Sequence, residues 1–384
     1  MKLKKIMSVL LSVLLLSALL IPAVSAETRA EEARLHFRED GSFLILNFSD
    51  IQDDAVLSLY TKRFIERSVK TYRPDLIILT GDNIAGYSTK NKNGATRAIR
   101  QYMDIFEKLG VPVAIVFGNH DDQDTKMSKE EQMALYNTYS CSVSVDDGPE
   151  IDGCGTYNVP IYSSNGDGKV RFNIWMIDSG TYDEVNGGYD HVKDSQLDWY
   201  RETSARLAAE NGGPVPSMAF QHIIVPEIYD ALEETDDPEG AISARGTYYK
   251  LPETAAEGSI LGEGPCPGTV NNGEFQAFLD GGDVLACVCG HDHVNSFVIP
   301  YQGIDLINTP TCGFSSYGNA ETRGMRVIDL NEEDNWTYET FVVRFEDLME
   351  KDPLMPFYQM REFFVRIGDW FERLFDRIKA VFHA

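Results

Sequence analysis

The stretch Val284-Leu285-Ala286-Cys287-Val288-Cys289-Gly290-His291-Asp292-His293 decides how this chain is read. Six apolar residues in an unbroken run fit a strand buried on both faces, as in a parallel sheet. The run ends at a glycine, and histidines at i and i+2 follow, offering imidazole nitrogens suited to a divalent cation. The same pattern recurs four times. Phe43-Leu44-Ile45-Leu46-Asn47-Phe48 leads into Ser49-Asp50-Ile51-Gln52, and Leu76-Ile77-Ile78-Leu79-Thr80 into Gly81-Asp82-Asn83. Val113-Ala114-Ile115-Val116-Phe117 leads into Gly118-Asn119-His120-Asp121, and Ser217-Met218-Ala219-Phe220 into Gln221-His222. Strands of a parallel or mixed sheet deliver their C-terminal ends to one crevice. Carboxylates, an amide and imidazoles converging there are the donors that a pair of divalent cations needs, which points to a two-metal hydrolase.

The rest of the chain reads as α/β. Strand 43–49, helix 56–72, strand 75–80, helix 95–109 and strand 112–117 give a βαβαβ unit with right-handed crossovers expected. Ser128-Lys129-Glu130-Glu131 resembles a capping box opening a helix to Tyr139. A strand at 170–177 and a helix at 195–210 precede the His222 strand, and strands at 295–299, 304–308, 324–330 and 336–344 follow His293. The Gly/Pro-rich stretch 236–273 is too long for a plain connector and is expected to form a lid or wall over the site.

Residues 1–26 read as a secretory signal: Lys2, Lys4 and Lys5, an apolar core from Ile6 to Leu20, then Val24-Ser25-Ala26 as a cleavage site. The alternative is an uncleaved membrane anchor, although the apolar run is short against the roughly 20 residues a span requires. A charged lead-in (27–42) is expected to be loose, followed by a catalytic domain over 43–350. Residues 353–384 hold an amphipathic helix whose aromatic stripe includes Phe363, Phe364, Trp370, Phe371 and Phe375, so it must pack on the domain, pair with another copy or lie on a membrane surface. The formal net charge is −26, and loss of the three lysines with the signal takes it to −29. Such a surface repels nucleic-acid backbones and argues against a nuclease on long polymers, while leaving small phosphorylated substrates open. Six cysteines permit disulfides in an exported chain, with Cys141–Cys154 the best candidate pair and Cys266–Cys312 a second; Cys287 and Cys289 read as core thiols.

In order and content the five clusters resemble the calcineurin-like metallophosphoesterase superfamily, whose signature runs D-x-H, G-D, G-N-H-[DE], H and G-H-x-H. The flanking text, including Leu79-Thr80-Gly81-Asp82-Asn83-Ile84, Asp178-Ser179-Gly180 and Pro226-Glu227, is similar to its purple-acid-phosphatase-like bacterial and plant branch. The resemblance implies two mixed β-sheets packed as a sandwich flanked by helices, the four-layer fold of that superfamily. It also implies two divalent ions (Mn, Fe, Zn or Ca). One ion would be held by Asp50, Asp82 and His293, with Gln52 a further candidate, and the other by Asp82, Asn119, His222 and His291. His120, oriented by Asp121, would face the scissile phosphate while a hydroxide held between the ions attacks phosphorus. The implied activity is that of an exported phosphoesterase, most simply on phosphomonoesters, with a phosphodiesterase on nucleotides or lipid head groups as the alternative. Two positions depart from the family. Gln52 stands where the first motif carries His, which keeps open a degenerate fold acting as a surface binding protein. Ala85 stands where purple acid phosphatases proper carry a tyrosine ligand, so their colour and ferric ion are not implied. His36, His191 and His383 fall outside the motifs and are assigned no role.

Overall fold

The computed structural model describes residues 34–356 except 147, 149 and 351; the expected signal and nearly all of the expected C-terminal helix lie outside the described residues. In chain order the strands are β1 (Leu35–His36), β2 (Ser42–Phe48), β3 (Leu76–Thr80), β4 (Val113–Val116), β5 (Tyr157–Tyr162), β6 (Val170–Met176) and β7 (Ser217–Phe220). They continue as β8 (Glu233–Thr235), β9 (Ile242–Ala244), β10 (Thr247–Lys250), β11 (Val284–Cys289), β12 (Val298–Tyr301), β13 (Ile304–Asn308), β14 (Gly324–Asn331) and β15 (Tyr338–Arg344).

All five residues of β3 are buried, and their alternation shows what covers each face. Ile77 and Leu79 point into an apolar layer shared with the helices Leu59–Tyr72, Lys92–Leu109 and Lys129–Tyr136. Leu76 and Ile78 point the other way, into a layer shared with Ile174, Met218 and Val288 of a second sheet. On the far side of that sheet, Trp175, Ala219 and Cys287 pack against Leu197 and Tyr200 of helix Asp194–Asn211 and Phe275 and Phe278 of helix Glu274–Gly281. The result is helix–sheet–sheet–helix, the four-layer sandwich expected. The first sheet runs β15-β14-β2-β3-β4 and the second β1-β5-β6-β7-β11-β13-β12. β2, β3 and β4 are mutually parallel, as are β6, β7, β11 and β13, so the carboxyl ends of both parallel sets supply the loops discussed next.

Some details differ from the sequence reading. The lead-in is not wholly loose, because Leu35 and His36 pair in parallel with Ile161 and Tyr162 of β5. β5 itself is hidden in the sequence by Pro160, although its buried and half-buried residues alternate as a strand requires. The strand expected at 295–299 begins at Val298. Part of the 236–273 segment is ordered as β9 and β10, which join β8 in a small sheet of order β8-β10-β9. All six cysteines are free thiols, so neither suggested disulfide forms; Cys141 and Cys154 sit buried in the helix-side core. The capping box at Ser128 is present.

The helix it opens is tied to the second sheet by a buried ion pair, with Lys129 Nζ 2.9 and 3.2 Å from the Asp178 carboxylate just past β6. Removing one partner of such a pair strands a charge where water cannot reach it. Lys129→Met should therefore lower stability by about 3 kcal/mol in urea unfolding; a loss below about 0.5 kcal/mol would mean the pair behaves as an exposed one.

Candidate metal centre

Four of the residues expected at the site have left-handed backbones: Asp50, Gln52, Asp82 and His291, at φ of 50°, 40°, 48° and 73°. None is glycine, and each such conformation costs on the order of 1–3 kcal/mol unless the surroundings impose it. Here they do. Asp50 N–H donates to Gly81 O (3.2 Å), Gln52 N–H to Asp82 O (2.9 Å), and Gly290 N–H to His222 O (3.1 Å), lacing the loops after β2, β3, β7 and β11 together. The glycines allow the approach: a Cβ on Gly118 would lie 2.2 Å from Asp82 Oδ1, and one on Gly290 1.8 Å from Ser49 Oγ.

Two donor groups result. Atoms of Asp82, His222 and His291 all lie within 4.8 Å of one another, as do atoms of Asp50, Asp82 and His293, and every one of these residues is buried. Asp82 belongs to both. Its Oδ1 is 3.4 Å from His222 Nε2, while His293 Nε2 is 3.3 Å from Asp50 Oδ1. The second ring nitrogens are spoken for. His222 Nδ1–H donates to Thr80 O (2.8 Å) and His293 Nδ1–H to Tyr317 O (2.9 Å). That fixes the tautomers with Nε2 turned inward, the arrangement expected around a metal.

A test of fit comes from the polar atoms left without partners. Asp50 Oδ1, Gln52 Oε1 and Asn119 Oδ1 are buried and accept no hydrogen bond, a state that costs about 1–3 kcal/mol each unless something else is coordinated. All three belong to the expected donor set, so the residues present fit a pair of cations. Gln52 fits through its amide oxygen, since its Nε2 is committed to Asp82 Oδ2 at 3.3 Å.

Charge distribution agrees. Burial opposes ionisation of Asp50 and Asp82, yet the facing charges of His293 and His222 hold both carboxyls below the usual range. Burial likewise disfavours the His222 imidazolium, but the Asp82 carboxylate overrides it and raises the group to about 10. His291, whose Nδ1 is 3.2 Å from His222 Nε2, is pushed down to about 3 by burial and by the charge of His222. In the metal-free protein a proton thus sits where a cation would.

His120 lies at the edge of the cluster with 27% of its side chain exposed and Nε2 4.0 Å from Asp82 Oδ2. Its orientation departs from the expectation. The ring's partner is Gln123, with Nδ1 2.5 Å from Oε1. Asp121 instead accepts from Gly118 N–H (2.7 Å) and Ile84 N–H (3.0 Å), bracing the loops after β3 and β4. Asp121 points inward because it is fully buried, and burial followed by the Asp82 charge raises its carboxyl to about 8. The residues that the sequence did not assign to the site are Gln123, Tyr87, Tyr189, Cys266, Ser316 and Tyr317, the last five lining a cavity of about 280 Å³ over the donors. Cys266 comes from the 236–273 segment, which serves as a wall, as expected. His191 lies 3.1 Å from Asp190, whose Oδ1 also holds Lys193.

Two predictions follow from this geometry. Below pH 10 His222 is protonated in the metal-free protein, so binding at its site displaces a proton and affinity falls about tenfold per unit as pH drops. Calorimetry in buffers of differing ionisation enthalpy should register that release at pH 7. Gln52 offers a neutral oxygen where imidazole would bind late transition ions better. The ion sharing Asp50, Asp82 and His293 should therefore be the looser one, and Gln52→His should tighten it for zinc. Equal affinities unaffected by the substitution would contradict this.

Comparison with known proteins agrees with the geometry. Residues 43–295 match the family model for calcineurin-like phosphoesterases. The chain is 30% identical over 339 residues to the probable inactive purple acid phosphatase 29 of Arabidopsis thaliana, covering 79% of this chain and 81% of the plant protein. It is 26% identical over 289 residues to the phosphatase DCR2 of Saccharomyces cerevisiae, covering 69% of this chain and 46% of the yeast protein. A crystal structure of a dimetal phosphatase from Danio rerio superposes with a TM-score of 0.45 at 12% identity, covering 79% of this chain and 99% of that one. On the family match and the plant relative together, the chain belongs to the calcineurin-like phosphoesterase family.

Proposed function

We propose that this protein is an exported, dinuclear metal-dependent phosphoesterase acting on small phosphomonoesters. The observation that carries the reading is the pair of buried donor groups sharing Asp82, with three orphaned donor oxygens among them and His120 at the cavity mouth. Bound there, two divalent cations would supply Lewis acidity toward phosphoryl oxygens and would acidify water. The chain's own residues do the rest. Asp50 and Asp82 set the spacing of the two groups, and the hydrogen bonds to Thr80 and Tyr317 aim two of the imidazoles. Gln123 holds His120 so that Nε2 faces the cavity, where the ring donates a proton to the departing alcohol oxygen. Export rests on the signal-like residues 1–26, and the net charge of −26 favours small substrates over nucleic-acid polymers. The helix read at 353–384 remains a candidate for self-association or peripheral membrane contact.

A second reading, a phosphate-ester binding protein without turnover, is favoured by Gln52 and by the word inactive in the names of the plant relatives. Against it stand six unaltered donors and His120, which lines the cavity. Nitrophenyl mono- and diesters with added manganese, zinc, iron or calcium separate the readings. Hydrolysis of the monoester that depends on metal supports the enzyme, and no turnover of either ester with two ions bound supports the binding protein. His120→Ala should cut kcat by about 100-fold or more while metal content stays at the wild-type level; equal loss of metal would show that His120 is a ligand.

A further inference from the structure

The wall of the cavity is built of aromatic rings rather than cations. Tyr87, Tyr189 and Tyr317 line it, and no Lys or Arg does among the described residues. Each tyrosine leans on a different histidine. Tyr317 lies flat on His293 with centroids 4.0 Å apart and 5° between planes, Tyr87 meets His120 edge-on at 5.1 Å, and Tyr189 meets His291 edge-on at 4.3 Å. The rings are fixed before anything binds. The Tyr317 hydroxyl donates to the Glu263 carboxylate at 3.1 Å, and Tyr189 is stacked on Tyr182 at 5.6 Å. Yet Tyr87 is 43% and Tyr317 55% exposed, so each keeps an open face toward solvent at the mouth.

Building on the phosphoesterase reading, we propose that these tyrosines form a slot selecting phosphate esters whose alcohol is a single planar ring without a second anionic group, an aryl alcohol. A phosphoryl group over the donor cluster places its ester oxygen beside His120 and hence the alcohol against Tyr87. A planar ring there meets preorganised π-faces, which bind it without the cost of ordering side chains. An aliphatic alcohol such as glycerol gains no comparable contact. A second phosphate or carboxylate finds no cationic partner in the wall and meets Glu263 at its rim. The volume of about 280 Å³ sits at the small end of ligand pockets and suits one phosphoryl group with one ring.

The test uses full-length protein loaded with manganese, and it has a binding arm and a turnover arm. Calorimetry should show phenylphosphonate binding about 10-fold or more tighter than methylphosphonate, the range expected for stacking a ring on aromatic side chains. In Tyr87→Leu/Tyr317→Leu that ratio should fall below about 3 at unchanged metal content. The backbone carbonyl that holds His293 survives this change; if metal content nevertheless falls, Tyr87→Leu alone decides. In the turnover arm, phenyl phosphate should exceed glycerol 3-phosphate and a nucleoside 5′-monophosphate, both esters of aliphatic alcohols, in kcat/KM. Equal affinities for the two phosphonates in the wild type, or a ratio indifferent to the tyrosine substitutions, would overturn the slot. A phenyl preference without hydrolysis of any ester would leave the slot standing and overturn the phosphoesterase reading instead.

Discussion

The carboxylate of Asp82 is the constraint around which the site is arranged. It is buried, it follows β3 on a left-handed backbone, and it stands between two groups of donors that also include Asp50. Two buried carboxylates this close repel one another and forgo much of their solvation. Positive charge must answer them, and the Asp82 carboxylate, by raising His222 to about 10 against the effect of burial, favours a proton there as the provisional answer. Displacing such a proton by a cation is the exchange for which the donor set is suited, because Gln52 Oε1 and Asn119 Oδ1 have no hydrogen-bond partner and Asp50 Oδ1 faces only the His293 imidazole.

The donors come from both sheets. Asp50, Asp82 and Asn119 follow β2, β3 and β4 of one, while His222 and the histidines at 291 and 293 follow β7 and β11 of the other. Their separation is therefore set by the apolar layer between the sheets, where Ile45, Ile78, Val116, Met218, Phe220 and Val288 interlock. Interiors packed this tightly do not flex to suit a ligand. The left-handed turns at Asp50, Gln52, Asp82 and His291 then point the side chains across the seam. Fold and site are in this sense one design: the sandwich core fixes the gap and the strained turns fill it.

Much of this was legible in the residues. Runs such as Leu76 to Thr80 and Val284 to Cys289 declare doubly covered strands through their unbroken apolar content, and the polar clusters after them had to share a crevice once the strands were parallel. The converging donors needed nothing more, while the four layers were what the family resemblance implied. What escaped notice is contributed by segments with no periodicity. β5 carries a proline, and its alternation is between buried and half-buried residues rather than between apolar and polar ones. Tyr87, in the short helix Gly86–Thr89, and Tyr189, Cys266 and Tyr317, from three separate loops, meet only in three dimensions. The role given to Asp121 failed for a related reason. A carboxylate next to a histidine in sequence looks like its partner, but the turn sends Asp121 inward to backbone N–H groups and leaves Gln123, three residues along from His120, to hold the ring.

The most direct test is anomalous diffraction from crystals grown with manganese. Two peaks are expected on either side of the Asp82 carboxylate, one against His222 and His291 and the other against Asp50, Gln52 and His293. A single peak, or ions bound elsewhere with the Asp82 carboxylate unligated, would contradict a dinuclear centre.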